Sequence, residues 1–317
     1  MARRTPQLPT PPRFPTAARV HELYEGLLAR PNVAGCFVGQ KRMGNRYGSE
    51  VGVVAVVHEK VPRDELGADE MIPGALEWRR NSREQVSVVT DVQPISDAGF
   101  QAGPFAGPGD ALARVTFPNR PGQVVVSTVG VALRHPKFGA VITTAGHALQ
   151  GGPGTVTYRP GHAPEVLLQN VGEDGARVDI TGEVVRSVRV EEADYALIVP
   201  TDGTPIRNLY HDIDSLGGLF VPQPDDVGKR FFALSPQGVK DTRLRGVFGV
   251  LTIEGFTLRD LLITDMVTQA GDSGCALIDA SFRVCGLLVG FAVVDGVRRS
   301  VFMSAFWALS MEGAEIF

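Results

Sequence analysis

Thr268-Gln269-Ala270-Gly271-Asp272-Ser273-Gly274-Cys275-Ala276-Leu277-Ile278 is a tight polar turn that runs into an apolar strand. Gly271 and Gly274 let the backbone turn sharply and leave the Ser273 hydroxyl unobstructed. They also let N–H groups converge on one small volume. A serine hydroxyl is a poor nucleophile by itself. It needs a base within hydrogen-bond reach, a third group to orient that base, and donors for the oxyanion that forms. The stretch therefore sends the search upstream, for a histidine and a carboxylate in matching settings.

Both occur. Val141-Ile142-Thr143-Thr144-Ala145-Gly146-His147-Ala148 is a β-rich run that ends in small residues and then a histidine. None of the other histidines, at 21, 58, 135, 162 and 211, follows such a run. Glu192-Ala193-Asp194-Tyr195-Ala196-Leu197-Ile198-Val199 puts a carboxylate at the mouth of an apolar strand, and Asp179 in Val-Asp-Ile-Thr-Gly is the alternative. Thr-Ala-Gly-His, Asp-Tyr-Ala-Leu-Ile and Gly-Asp-Ser-Gly, in this order, resemble the three signatures of the chymotrypsin/trypsin-like serine proteases. The resemblance covers roughly residues 110–317, and the 179 run lacks the acidic-to-apolar step of the family's pattern.

The resemblance implies a mainly β fold, two six-stranded barrels with the site in the cleft between them. It implies a serine endopeptidase working through an acyl-enzyme. His147 would be the base and then the acid, Asp194 would fix its tautomer, and Ser273 would be the nucleophile. Gly271 and Ser273 would supply the oxyanion-hole N–H groups. By the family's offset the specificity pocket has Val267 at its base with Thr268 beside it, which disfavours cleavage after Arg or Lys. Val289-Gly290-Phe291 matches the strand that pairs with a peptide substrate. The family's buried partner for Asp272 is a new N-terminus, but no Arg-Ile-Val-Gly-Gly-like start stands near 104–125, so a side-chain or backbone partner is expected. Two other readings stay open: a protease-fold binding or adaptor protein with little turnover, and an esterase or acyltransferase on the same machinery.

The chain has 317 residues, 44% hydrophobic and 21% charged, as for a globular protein, and is long enough for two domains. A net charge of −4 makes a large nucleic-acid footprint unexpected. No apolar run approaches the ~18 residues of a membrane span, and the Pro/Arg-rich start lacks an apolar signal core. Three cysteines, Cys36, Cys275 and Cys285, are an odd, low count that argues against a disulfide framework, with Cys275 and Cys285 expected as buried thiols. A cytoplasmic protein acting on protein or peptide substrates is expected, without nucleic-acid or membrane partners, cofactor or metal.

Residues 1–15 read as a disordered Pro/Arg tail. Residues 16–98 read as a small α/β accessory module: a helix carrying Val20, Leu23, Tyr24, Leu27 and Leu28, then strands over 33–40, 51–58 and 85–92. It resembles the module before the protease in some bacterial and plant trypsin-like proteins, and suits regulation or substrate recruitment. Residues 99–110 read as a Gly/Pro-rich linker and 111–317 as the protease domain, separable near Gly103. Asp295-Gly296 predicts a two-residue hairpin turn, and 305–309 a short C-terminal helix.

Overall fold

Period-two alternation of apolar residues accounts for most of what forms. The computed structural model describes residues 17–43, 46–79, 85–100, 112–116, 124–150, 152–159, 162–171, 177–201, 208, 213 and 216–316. Helix α1 (Ala17–Leu28) is followed by β1 (Val33–Met43), β2 (Arg46–Val57), β3 (Ala75–Arg79) and β4 (Gln85–Phe100). Then come β5 (Leu112–Thr116), β6 (Val124–Thr128), β7 (Ala132–His135), β8 (Gly139–Thr144), β9 (Gly154–Thr157), β10 (Glu165–Val171), β11 (Arg177–Val190) and β12 (Ala193–Pro200). The last third holds β13 (Arg230–Ser235), β14 (Gly238–Ile253), β15 (Phe256–Asp265), β16 (Ala276–Asp279), β17 (Val284–Val294), β18 (Val297–Ser304), α2 (Ala305–Glu312) and β19 (Glu315–Ile316).

These strands form two sheets. One runs β19-β7-β8-β12-β11-β10-β5-β6, with β9 on β11. The other runs β13-β16-β17-β18-β15-β14-β1-β2-β4-β3, and β13 also pairs β14. That extra pairing closes β13, β16, β17, β18, β15 and β14 into a six-stranded barrel. The fold is mainly β, two sheets of which the second closes into a barrel.

Residues 17–100 are built into the second sheet. β1 pairs β14 antiparallel, β2 lies between β1 and β4, and β4 returns to pair with β17. Alternate residues of these strands feed two cores. Phe37, Val54 and Val56 join the cluster of Leu251, Ile253, Leu287 and Val289 that also holds Leu133, Tyr195 and Leu197 of the first sheet. Cys36, Val38, Val53 and Ala55 face the other way, into the cluster of Leu244, Val250 and Phe302. There α1 lays its stripe of Val20, Tyr24 and Leu27, all but inaccessible to solvent. The expected accessory module over 16–98 thus shares sheet and core with residues 230–304. The linker expected at 99–110 falls outside the described residues from 101 on; β4 runs as strand up to Phe100.

Both helices meet at Asp260 on β15. His21 Nε2 of α1 lies 3.1 Å from its Oδ1, and Trp307 Nε1 of α2 donates to its Oδ2 at 2.6 Å. The Asp295-Gly296 turn has φ of +50° and +70°, as a two-residue hairpin of this type requires. Among the described residues no helix is long and apolar enough to cross a membrane.

Candidate active site

His147 follows the end of β8 and Asp194 stands at the start of β12, neighbouring strands of the first sheet. The apolar runs bury both strands, and the register of Ala196 with Thr144 brings their ends together. Gly146 is required at this crossing: a Cβ there would sit 2.3 Å from the Val188 carbonyl oxygen. The His147 backbone N–H donates to Asp194 Oδ1 at 2.8 Å. The imidazole Nδ1 lies 3.2 and 3.1 Å from the two carboxylate oxygens. Its Nε2 lies 3.0 Å from Ser273 Oγ, which comes from the turn between β15 and β16 in the second sheet.

The Ser273 turn is held from the opposite sheet. Its carbonyl accepts from the Thr128 N–H and from Ser127 Oγ, each at 2.7 Å. Thr128 Oγ1 donates to the Gly271 carbonyl at 2.8 Å, and Thr144 Oγ1 donates to the Thr128 carbonyl at 2.8 Å. Ser127, Thr128 and Thr144 are fully buried. Sequence reasoning missed these clamping residues, because hydroxyls at a strand end form no motif. Gly274 has φ +92°, and a Cβ on it would lie 2.5 Å from the Thr128 carbonyl oxygen, so only glycine fits.

Gly271 and Ser273, expected as oxyanion donors, both carry N–H groups without an acceptor among the described residues. Asp272 is buried. Its Oδ2 accepts the Gln269 N–H at 2.9 Å, the backbone partner expected in place of a new N-terminus. Its Oδ1 has no hydrogen-bond partner among the described residues. Burial holds this carboxyl above the usual range, against the opposing pull of the Gln269 N–H, the Lys240 charge and the Ser235 and Gln237 side chains.

Two residues after Ser273, the Cys275 thiol is pushed well up by burial and by the Asp272 charge. Burial also pushes Cys36 up, to about 12, and raises Cys285. All three are free, buried thiols, so none of them offers a ready thiolate. Among the described residues no cluster of three or more His, Cys, Asp or Glu could hold a metal ion.

The residues expected around a specificity pocket lie where β18 meets the segment before the turn. The Val267 N–H donates to Ser300 Oγ at 3.2 Å, and Thr268 Oγ1 lies 2.8 Å from the same oxygen. Val289 is fully buried in the core, and Phe291 is half-buried beneath the Arg298 guanidinium, 3.9 Å from the ring centroid. The edge of β17 that carries Gly290 and Phe291, expected to pair with a peptide substrate, is paired with β4. The side chain of Asp179, the alternative carboxylate, lies outside the described side chains.

The arrangement can move a proton from Ser273 Oγ to His147 Nε2 while Asp194, buried and bonded to the other ring nitrogen, stabilises the imidazolium.

No protein family matches the chain by sequence, and no curated protein does. Solved structures resemble it at low identity. A glutamic-acid-specific serine protease aligns with 16% identity and a TM-score of 0.47, over 66% of this chain and 99% of that one. Nocardiopsis protease aligns with 17% identity and a TM-score of 0.47, over 66% and 97%. The chymotrypsin of Cellulomonas bogoriensis aligns with 18% identity and a TM-score of 0.44, over 66% and 97%.

Proposed function

We propose that this chain is a serine endopeptidase. The observation that carries the reading is the contact of Ser273 Oγ with His147 Nε2 at 3.0 Å, with Asp194 bonded to the far ring nitrogen. In this reading His147 takes the Ser273 proton as the oxygen attacks a peptide carbonyl. The oxyanion is met by the Gly271 and Ser273 N–H groups, each such donor worth about 3–4 kcal/mol of transition-state stabilisation. His147 then protonates the departing amine, and a water molecule hydrolyses the ester. The N-terminal strands act in regulation of the site or in substrate recruitment.

One observation favours a second reading, a protease-fold binding or adaptor protein: β4 covers the β17 edge. A covered edge slows peptide entry but leaves the hydroxyl–imidazole pair intact. The two readings part in a digest of denatured proteome, with new N-termini read by mass spectrometry. Termini formed by the wild type and absent with Ser273→Ala support the peptidase. A digest with none, from protein that also fails to hydrolyse a small activated ester, overturns it.

A further inference from the structure

Arg189 stands where the sheet of the histidine meets the sheet of the serine. It lies near the end of β11, directly opposite Asp194 of β12, with Gly154 of β9 on its other side. Directly opposed residues of an antiparallel pair carry their side chains on one face, with Cβ atoms about 4.5–5.5 Å apart. Arg189 is therefore on the face from which Asp194 reaches His147. Only 9% of it is exposed. A guanidinium so placed is costly to desolvate, and an apolar side chain of similar volume would fill the space at lower cost. What the guanidinium adds is two contacts that no apolar chain makes. Its Nη1 donates to the Gln150 carbonyl at 3.3 Å. Its central carbon lies 5.0 Å from the centroid of the Phe256 ring, at the start of β15 in the other sheet.

Gln150 ends the turn that carries His147. The Leu149 and Gln150 N–H groups both donate to the Gly146 carbonyl, at 2.9 and 3.0 Å, which ties residues 146–150 into one unit. β11 grips this unit at both ends. Gly146 is pressed so close to the Val188 carbonyl that no side chain fits, and Gln150 is held by Arg189. Between them the His147 N–H and Nδ1 meet Asp194. The same end of β11 carries a second contact with the serine's sheet. The Arg259 N–H donates to the Glu191 carbonyl at 2.6 Å, and Arg259 Nε lies 2.7 Å from Glu191 Oε2.

From this arrangement we infer that Arg189 is a positioning residue for the proton transfer: it holds the His147 turn against the strand that carries Phe256, and so sets the reach of His147 Nε2 to Ser273 Oγ. The inference rests on the peptidase reading above. Arg189 touches neither substrate nor reacting atoms. A guanidinium suits the task better than an ammonium, because its plane lies on a ring while its fork donates. Misplacing a reacting group by about 1 Å costs up to about 100-fold in rate. Such a strut therefore acts on turnover and leaves the binding of a small substrate as it was.

The test uses the full-length protein as wild type, as Arg189→Met, which keeps an apolar stem, and as Arg189→Ala, which leaves the guanidinium's space open. Two activities are read: turnover of a small activated ester, and fluorophosphonate labelling at Ser273. In both variants kcat and the labelling rate should fall by about 10- to 100-fold, with KM for the ester within about twofold of wild type. Guanidinium chloride at about 50 mM, far below the range that unfolds proteins, should raise both rates of Arg189→Ala at least about fivefold. Sodium chloride at the same concentration should not, and Arg189→Met should respond to neither. Variants that label and turn over like wild type overturn the inference and leave the peptidase reading standing. So does a loss carried by KM, or a folded Arg189→Ala that guanidinium does not rescue. Should Arg189→Ala fail to fold by circular dichroism, the kcat and KM of Arg189→Met decide. If neither variant folds, Arg189 serves folding itself and the inference is overturned. Wild type that neither labels nor hydrolyses the ester overturns both readings.

Discussion

The two sheets are assembled differently. In the first, pairs close in sequence do most of the work: β7 with β8, β10 with β11, and β11 with β12. The second draws on both halves of the chain. Gly35 of β1 is partnered by Leu251 of β14, and Gly99 of β4 by Phe291 of β17. The histidine and carboxylate sit on the local sheet and the serine on the composite one. Their meeting depends on how the two sheets dock, and the composite sheet depends on residues 17–100.

The largest effect expected on this contrast is loss of the pair that bridges the sheets. His147→Ala and Ser273→Ala should each lower ester turnover by at least ~10⁴-fold, with circular dichroism unchanged, because such residues act as a unit. A variant retaining a tenth of the activity breaks the assignment. Asp194→Asn should cost about 10⁴-fold through the wrong imidazole tautomer. A mild loss there, with a severe one in Asp179→Asn, moves the role to Asp179.

Next is the composite sheet. A fragment of residues 103–317 lacks α1 and β1 to β4. That uncovers Leu244, Val250 and Phe302, which these elements help to bury, and removes the side chains of Phe37, Val54 and Val56 from the shared core. Each large apolar side chain is worth about 1.5–3 kcal/mol on burial, and a handful reaches the ~5–15 kcal/mol by which a whole domain is stable. The fragment should show no cooperative thermal transition by circular dichroism. A sharp transition near the full-length Tm would mean the first sheet and the closed barrel suffice, as the composition break at 99–110 suggests.

Smaller is the seam between the sheets. Glu312 of α2 accepts from Tyr195 Oη, lies 3.1 Å from His135 Nε2 and pairs with Arg186 Nε at 2.8 Å. Glu312→Ala leaves these groups without their shared acceptor and should cost about 3 kcal/mol in urea unfolding, at the low end for a buried pair because Arg186 is partly exposed. Tyr195→Phe should cost about 1–2 kcal/mol.

The smallest is a slope. The Asp272 carboxyl is held above its usual range in the folded state, so the native protein binds its proton more readily than the unfolded chain does. Stability should therefore fall as pH rises from the ordinary carboxylate range through the raised value. Asp272→Asn should flatten that segment of a pH series of urea midpoints. An unchanged slope assigns it to another group.

The surroundings of His147, Asp194 and Ser273 were legible because each needs a local pattern: a strand, small residues and then His147; an acidic step into the apolar β12; glycines around Ser273. β11 (Arg177–Val190) carries Val178, Ile180, Val184, Val188 and Val190 at even spacing, a pattern readable from the sequence alone. What local pattern cannot carry is a partner far along the chain. The sequence from 123 to 133 is one β-rich run, yet β6 and β7 are separate strands within it. The Thr128 N–H leaves the ladder for Ser273, and the Gly130 N–H goes to the Thr143 carbonyl. Asp97-Ala98-Gly99 has linker composition, and it is strand because β17 offers an edge; tertiary pairing overrides weak β propensity there. Ser127 and Thr128 clamp a turn more than 140 residues away, with |i−j| of 146 and 143.

The most direct test of the central claim, that His147 and Asp194 of one sheet activate Ser273 of the other, is fluorophosphonate labelling of the full-length protein with peptide mapping of the adduct. The account predicts one adduct, on Ser273, with the labelling rate falling at least ~10³-fold in His147→Ala. An adduct elsewhere, no adduct, or a rate indifferent to His147→Ala would contradict it.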